Sequence, residues 1–182
     1  MKEVHLCLET EKGGRTIMKI KNLTLLAVFI SFSVIGAMIK IPAVIGSVAL
    51  DSFPAIVAAV VLGPVSGAIV AAIGHLMSAL IAGFPLGPFH VLIALEMAII
   101  LFLFGLLYKK GKKITGYLVF FLTNGFLASV PFIFILGAGF YVGTLPSLVI
   151  GTFMNAAAAS IVAPRLATFK QASSTKKGHV HE

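Results

Sequence analysis

The sequence predicts an all-α integral membrane protein, a compact bundle of six transmembrane helices with both termini cytoplasmic. Three observations lead there. Of 182 residues, 59% are hydrophobic and 11% charged, whereas soluble domains average about 45–50% and about 25%. Between Asn22 and Tyr108 the only charges are Lys40, Asp51 and Glu96. Long apolar runs recur along the chain, separated by proline, glycine or lysine, and mean hydropathy is +1.08. This composition excludes a water-soluble enzyme, a disordered chain and a nucleic-acid reader. The net charge of +8 does not signal a nucleic-acid partner, because the basic residues flank the apolar runs.

A helix crosses the hydrocarbon with about 20 apolar residues, in a range of about 17–25. Residues 23–39 form the first such run, ended by Lys40 and Pro42. Residues 54–62 are too few alone, and make a second span if the helix begins near Val48 with Asp51 at its mouth. Gly63-Pro64 then turns the chain, since proline lacks an amide hydrogen and restricts the residue before it. Residues 65–82 form the third span, closed by Gly83-Phe84-Pro85-Leu86-Gly87-Pro88. The fourth covers 89–108 and ends at the lysine run 109–113. The fifth covers 114–136, and the sixth covers 145–163, ended by Pro164-Arg165. Six spans put 13 of the 14 basic residues on one face, with Lys40 alone on the other. Basic residues near span ends stay cytoplasmic, so that face is the inner one. The expected organisation is a cytoplasmic arm over 1–21, a membrane domain over 22–168 and a polar tail over 169–182.

The single Cys7 cannot form an intrachain disulfide. The arm lacks the apolar core and cleavage site of a signal peptide. Met18 is a natural start in its own right, with 1–17 as an extension. Small residues are set for close helix packing: Gly63, Gly67, Ala71 and Ala72 in the third span, Gly151, Ala156, Ala159 and Ser160 in the sixth.

No nucleotide-binding Gly-x-x-x-x-Gly-Lys-Ser/Thr, His-Glu-x-x-His or Gly-x-Ser-x-Gly occurs, so no catalytic set is expected. Nor is a metal pair or cofactor: His90 and Glu96 are six residues apart, hence about 120° apart around one helix. The polar groups within the spans point instead to a ligand pocket, because ionisable residues at membrane depth face the bundle interior. His75 lies seven residues before Ala82 and Glu96 seven beyond Phe89. Both therefore sit roughly 10 Å below the outer surface, either hydrogen-bonded to each other or lining a pocket. Asn155 shares a face with Gly151, Thr152 and Ala159, and Asn124 with Ala128 and Pro131. For both asparagines, inter-helix bonding and ligand contact remain open. Pro131 can bend its helix around a cavity. Asp51 and His90 stand at the outer mouth, where Asp51 either meets ligand or caps the second helix. The stem of Lys40 can snorkel. Phe84, Phe89 and Tyr141 cluster at the outer ends, where a flat ring would be sandwiched. The whole suits a small, mostly uncharged heterocycle.

Six short helices with both ends inside, together with Ile39-Lys40-Ile41-Pro42, Ala49-Leu50-Asp51-Ser52-Phe53-Pro54, Gly74-His75-Leu76, Gly83-Phe84-Pro85-Leu86-Gly87 and the stretch from His90 to Glu96, resemble the substrate-binding S component of an energy-coupling factor (ECF) transporter. The resemblance covers about 18–168. It implies a ligand captured outside, an S component that topples in the membrane, a transmembrane coupling subunit and two partner ATPases. In that family an Ala-x-x-x-Ala patch on the first helix docks on the coupling subunit. Here Ala27 and Ser31 stand at those positions, followed by Ser33 and Ala37. The second alanine is thus a serine. The surroundings of Asp51, His75 and Gly83 to Gly87 look most like the α-ribazole group, which implies Asp51, His75, His90 and Glu96 on ribose or ring nitrogen and Phe84 or Phe89 stacking. Riboflavin, pantothenate, a queuosine precursor and cobalamin are the other expected substrates. A stand-alone facilitator in the bacterial cytoplasmic membrane is the alternative function.

Overall fold

The computed structural model describes residues 22–42 and 47–178, with side chains over 22–39 and 50–170. The N-terminal arm with Cys7, the side chain of Lys40 and the end of the polar tail lie outside the described residues. The first helix, α1, spans Asn22–Met38. A short antiparallel hairpin follows, β1 (Lys40–Pro42) paired to β2 (Ser47–Ala49). Then come α2 (Ser52–Val61), α3 (Pro64–Ile81), α4 (Phe89–Lys109) and α5 (Lys113–Leu122). A single π turn, Thr123–Leu127, leads to α6 (Pro131–Leu136), and α7 runs over Ala138–Gly178.

Among the described residues, four segments are long and apolar enough to cross a membrane: Pro64–Ile81, Phe89–Lys109, Lys113–Leu136 and Ala138–Lys170. With the shorter apolar helices α1 and α2 they make the expected six-helix bundle. Large apolar side chains lie on the outside of the long spans, as Ile99, Phe134 and Phe153 do. That is the inverse of a soluble surface and the arrangement a lipid solvent favours.

Three expected boundaries are corrected. The second helix starts at Ser52, not near Val48, which pairs with Ile41 in the hairpin. The last helix begins at Ala138, because Gly137 at φ 86° supplies the reversal seven residues earlier than expected. It also runs through Pro146 and Pro164. An interior proline deletes one backbone hydrogen bond at a cost of about 3 kcal/mol, which weakens a helix without having to end it.

The core is centred on α2. Ala55, Ile56, Val57 and Ala58 are at most 1% exposed, and they pack with Val70, Leu101, Phe104, Phe120, Ala159 and Ala163 from the surrounding helices. A cluster of edge-on rings, Phe104, Tyr117 and Phe120, closes the core between α4 and α5. Contact between α2 and α3 depends on Gly67, where an added Cβ would collide with Cα and Cβ of Ala59. Likewise Gly74 admits the Ser33 side chain of α1.

Gly67→Val is therefore expected to lower stability by about 1–3 kcal/mol, the usual cost of overpacking. Gly139→Ala, where a Cβ meets nothing within 4 Å, is expected to be neutral or slightly stabilising. Thermal unfolding of the two purified variants in one detergent checks the contrast.

Candidate functional site

One cavity of about 300 Å³ lies among the beginnings of α2 and α7, the middle of α3, the first half of α4 and the α5–α6 junction. It lies toward the end of the bundle opposite the lysines. On α3 His75 is eleven residues from Pro64, and on α4 Met97 is twelve from Lys109. At the other end the α2–α3 turn, Tyr108, Lys109, Lys113 and Pro164 come together.

Four of the expected site residues line this cavity: Asp51, His75, Asn124 and Asn155. Asp51 is held from behind. Its carbonyl accepts from Ser33 Oγ at 2.7 Å, and Leu50 N donates to Gly36 O at 3.1 Å. Its carboxylate makes no cap to α2 and instead accepts from Ser52 Oγ at 3.3 Å. Asp51 stands ahead of α2, outside the helical spans. There burial pushes its carboxyl above the ordinary carboxylate range, outweighing the lowering effect of the Ser52 hydrogen bond.

The cap on α2 comes from α7. Phe53 N donates to Asn155 Oδ1 at 2.6 Å, while Asn155 Nδ2 donates to Gly151 O at 2.8 Å. Asn124, in the π turn, donates through Nδ2 to Thr152 Oγ1 at 2.8 Å, and Thr152 donates on to Leu148 O at 2.7 Å. Both asparagines thus bond between or along helices and also border the cavity.

Of the two readings of His75 and Glu96, the mutual hydrogen bond is not formed, while His75 borders the cavity. Its Nε2 lies 3.1 Å from Nδ1 of His90, and Leu86 N donates to Nε2 of His90 at 3.3 Å. The contact between the two rings puts His75 level with His90, whereas Glu96 lies six residues, about 9 Å, further along α4. Among the described residues Glu96 Oε2, which is buried, has no hydrogen-bond partner, and Glu96 is not in the lining. His90 also stands behind the wall, 7% exposed, with its ring edge-on to Phe84 at 5.6 Å.

The two phenylalanines expected to stack on a ligand lie outside the lining as well. Phe84 sits in the α3–α4 loop at φ 48°, between Gly83 and Gly87, which are also at positive φ. Such a backbone is an outlier for a bulky residue. Phe89 packs edge-on against Phe132 at 6.3 Å. The aromatic wall is instead Phe132 of α6 and Phe140 of α7, 5.7 Å apart. Sequence reading missed both, and with them Ser129, Thr144 and Ser147; Phe140 and Thr144 fall in the stretch 138–144 expected to be a loop, which α7 includes. Tyr141 is likewise outside the lining. The hydroxyls of Ser129 and Thr144 donate to Phe126 O and Phe140 O and keep acceptor capacity for the cavity.

Among the described residues no three His, Cys, Asp or Glu side chains gather in a metal-binding arrangement. The chemistry available is hydrogen bonding and ring stacking in an apolar chamber, which serves binding rather than bond cleavage.

On α1, Ala27 and Ser31 are both exposed and one turn apart, with Ser31 Oγ donating to Ala27 O at 3.0 Å. Ala37 is half-buried, and Ser33 is 1% exposed and turned inward to Asp51. The two small-residue pairs therefore do not share one face.

Asn155→Ala removes the cap on α2 and is expected to cost about 0.5–2 kcal/mol. Asn155→Asp keeps an acceptor for Phe53 N and is expected to recover part of that loss in the same thermal unfolding assay.

No curated protein and no solved structure gives a significant match to the chain. A family profile described as ECF transporter, substrate-specific component, matches residues 21–175. A match over most of the length, on a helical membrane bundle enclosing a small-molecule cavity, places this chain in the family of substrate-specific components of ECF transporters, which are substrate-binding transport subunits and not enzymes.

Proposed function

We propose that this S component captures α-ribazole, the benzimidazole nucleoside salvaged for the lower ligand of cobalamin, from outside the bacterial cytoplasmic membrane. The observation that carries the reading is the cavity. At about 300 Å³ it is at the lower end of small-molecule sites. That volume suits a bicyclic ring with one ribose and is too small for cobalamin itself. Phe132 and Phe140 supply the faces for a flat ring, while Asp51, Asn124 and Asn155 are placed to meet ribose hydroxyls. His75 meets the ring. His90, Phe84 and Phe89 act behind this wall by supporting His75 and Phe132. Glu96 is not assigned a ligand contact.

The basic end, with Lys109, Lys113 and Arg165, is cytoplasmic on the positive-inside principle. Both termini then lie inside, with 1–21 and 169–182 as polar flanks of the membrane domain. Docking on a transmembrane coupling subunit uses the exposed Ala27–Ser31 step of α1, and Ala37 borders it. Two ATPase subunits supply the energy, in keeping with a chain that has no phosphate-binding motif of its own.

Isothermal titration of the detergent-solubilised chain with α-ribazole, with riboflavin, pantothenate, a queuosine precursor and cobalamin as comparators, tests the substrate. Saturable binding of α-ribazole alone is expected. His75→Ala or Asn124→Ala should weaken it about 10-fold, the equivalent of about 1–1.5 kcal/mol for one lost hydrogen bond. Saturation by a comparator instead would displace α-ribazole and keep the family assignment. Uptake in cells lacking the coupling subunit separates the alternatives: loss is expected here, whereas a stand-alone facilitator would be indifferent.

A further inference from the structure

The two histidines behind and within the cavity wall form a directed chain. Leu86 N–H can only donate, so the Nε2 of His90 that receives it carries a lone pair and no proton. A neutral His90 must then hold its proton on Nδ1. That nitrogen faces Nε2 of His75 across 3.1 Å, and it is therefore the donor. Nε2 of His75 is left as acceptor, which puts the proton of His75 on Nδ1. Which nitrogen of a histidine carries the proton is set by the bond that the other one makes, and here the setting runs from a backbone amide through two rings.

We infer that His90 is a positioning residue which locks His75 as the Nδ1–H tautomer, so that His75 presents a hydrogen-bond donor to the cavity and selects ligands with an acceptor atom there. A ligand offering N–H or ammonium at that place would face another donor. Two donors left unpaired in an apolar chamber are heavily disfavoured. The inference deepens the proposed substrate reading and rests on it for the ligand. In α-ribazole the acceptor is the unsubstituted ring nitrogen of the benzimidazole.

The backbone supports the direction of the chain. Phe84 N donates to Ala79 O at 2.8 Å and Gly87 N to Phe84 O at 2.8 Å, which ties the loop to the end of α3. Phe84 also lies edge-on to the His90 ring. The loop that contains Leu86 thus reaches the cavity twice, by lining it directly and through the two rings.

The test is long-range proton–nitrogen NMR of the full chain, labelled with nitrogen-15 histidine, in lipid nanodiscs at neutral pH, with His75→Ala and His90→Ala assigning the signals. Both His75 and His90 are expected to show the Nδ1–H pattern. In His90→Ala, His75 is expected to fall to a mixture of tautomers. A His75 proton on Nε2 in the unmodified chain would overturn the inference, as would a His75 tautomer unmoved in folded His90→Ala. The spectrum needs no ligand, so failure of α-ribazole to bind would strike the substrate reading and leave the relay decided by the spectrum. Where α-ribazole does bind, the analogue with C–H in place of the acceptor ring nitrogen is expected to bind about 10-fold or more weakly. Equal affinity of the two would overturn the donor role of His75.

Discussion

The bundle depends on the way α7 holds both ends of α2. A helix of ten residues reaches only about 15 Å, half the hydrocarbon thickness. Its N-terminal end therefore opens inside the protein beside the cavity, while its C-terminal end lies with the lysines at the basic end. Asn155 accepts from Phe53 N at the start, and Lys170 Nζ donates to Val61 O at 2.9 Å at the finish. Orphan amides at one end and carbonyls at the other are thus answered by one neighbouring helix. Because α2 supplies the centre of the core, this clamp also sets the distance between α7 and the helices on the far side. It leaves the Asp51 carboxylate uncommitted to capping, and so available to the cavity.

The apolar runs and their punctuation made the six-helix bundle legible, because lipid demands long hydrophobic segments whatever the tertiary details. Residues that break a pattern locally were harder. Pro164 reads as a stop in one dimension, but the helix around it is retained through packing on α2, with Ala159 and Ala163 fully buried. The hairpin between α1 and α2 gives only a weak signal, six paired residues with a proline among them. At the site, residue counts put His75 and Glu96 at one level, whereas His75 meets His90, six residues nearer the start of α4. Counting from span ends fixes neither the relative height of two helices nor the direction of a side chain around each. Asp51, Asn124 and Asn155 stand out because a polar group in a hydrocarbon span needs a reason. Phe132 and Phe140 do not stand out among 15 phenylalanines.

Polar function and charge are segregated along the bundle. The cavity gathers neutral hydrogen-bonding groups and one carboxyl, all anchored to protein partners before any ligand arrives. Ser33 grips the Asp51 backbone, Thr152 receives Asn124, and His90 receives Leu86 N. Such prior bonding reduces the conformational entropy that binding would otherwise cost. The lysine end carries the charge instead, with Lys113 above the Tyr108 ring at 5.5 Å. Small residues permit this division by bringing the backbones close. Gly67 against Ala59 and Gly74 against Ser33 let α1, α2 and α3 share one narrow wall without side chains filling the space beside it.

The opposite wall needs irregularity. On a regular helix Ser129 would lie about 140° around from Asn124, and the two could not both border one small chamber. Here Ala128 N reaches back five residues to Thr123 O at 2.8 Å, a widened turn. The next bonds, Val130 N to Leu127 O and Phe132 N to Ser129 O, reach back three and tighten it. Pro131, which has no amide hydrogen to lose, sits at the first turn of α6, where that deficiency costs least. The combination lets Asn124, Ala128, Ser129 and Phe132 all line the cavity. A π turn of this kind is locally unfavourable and often marks a functional position. Its cost is offset by the buried bond from Asn124 to Thr152, so the distortion that opens the chamber is held by the same side chain that furnishes it.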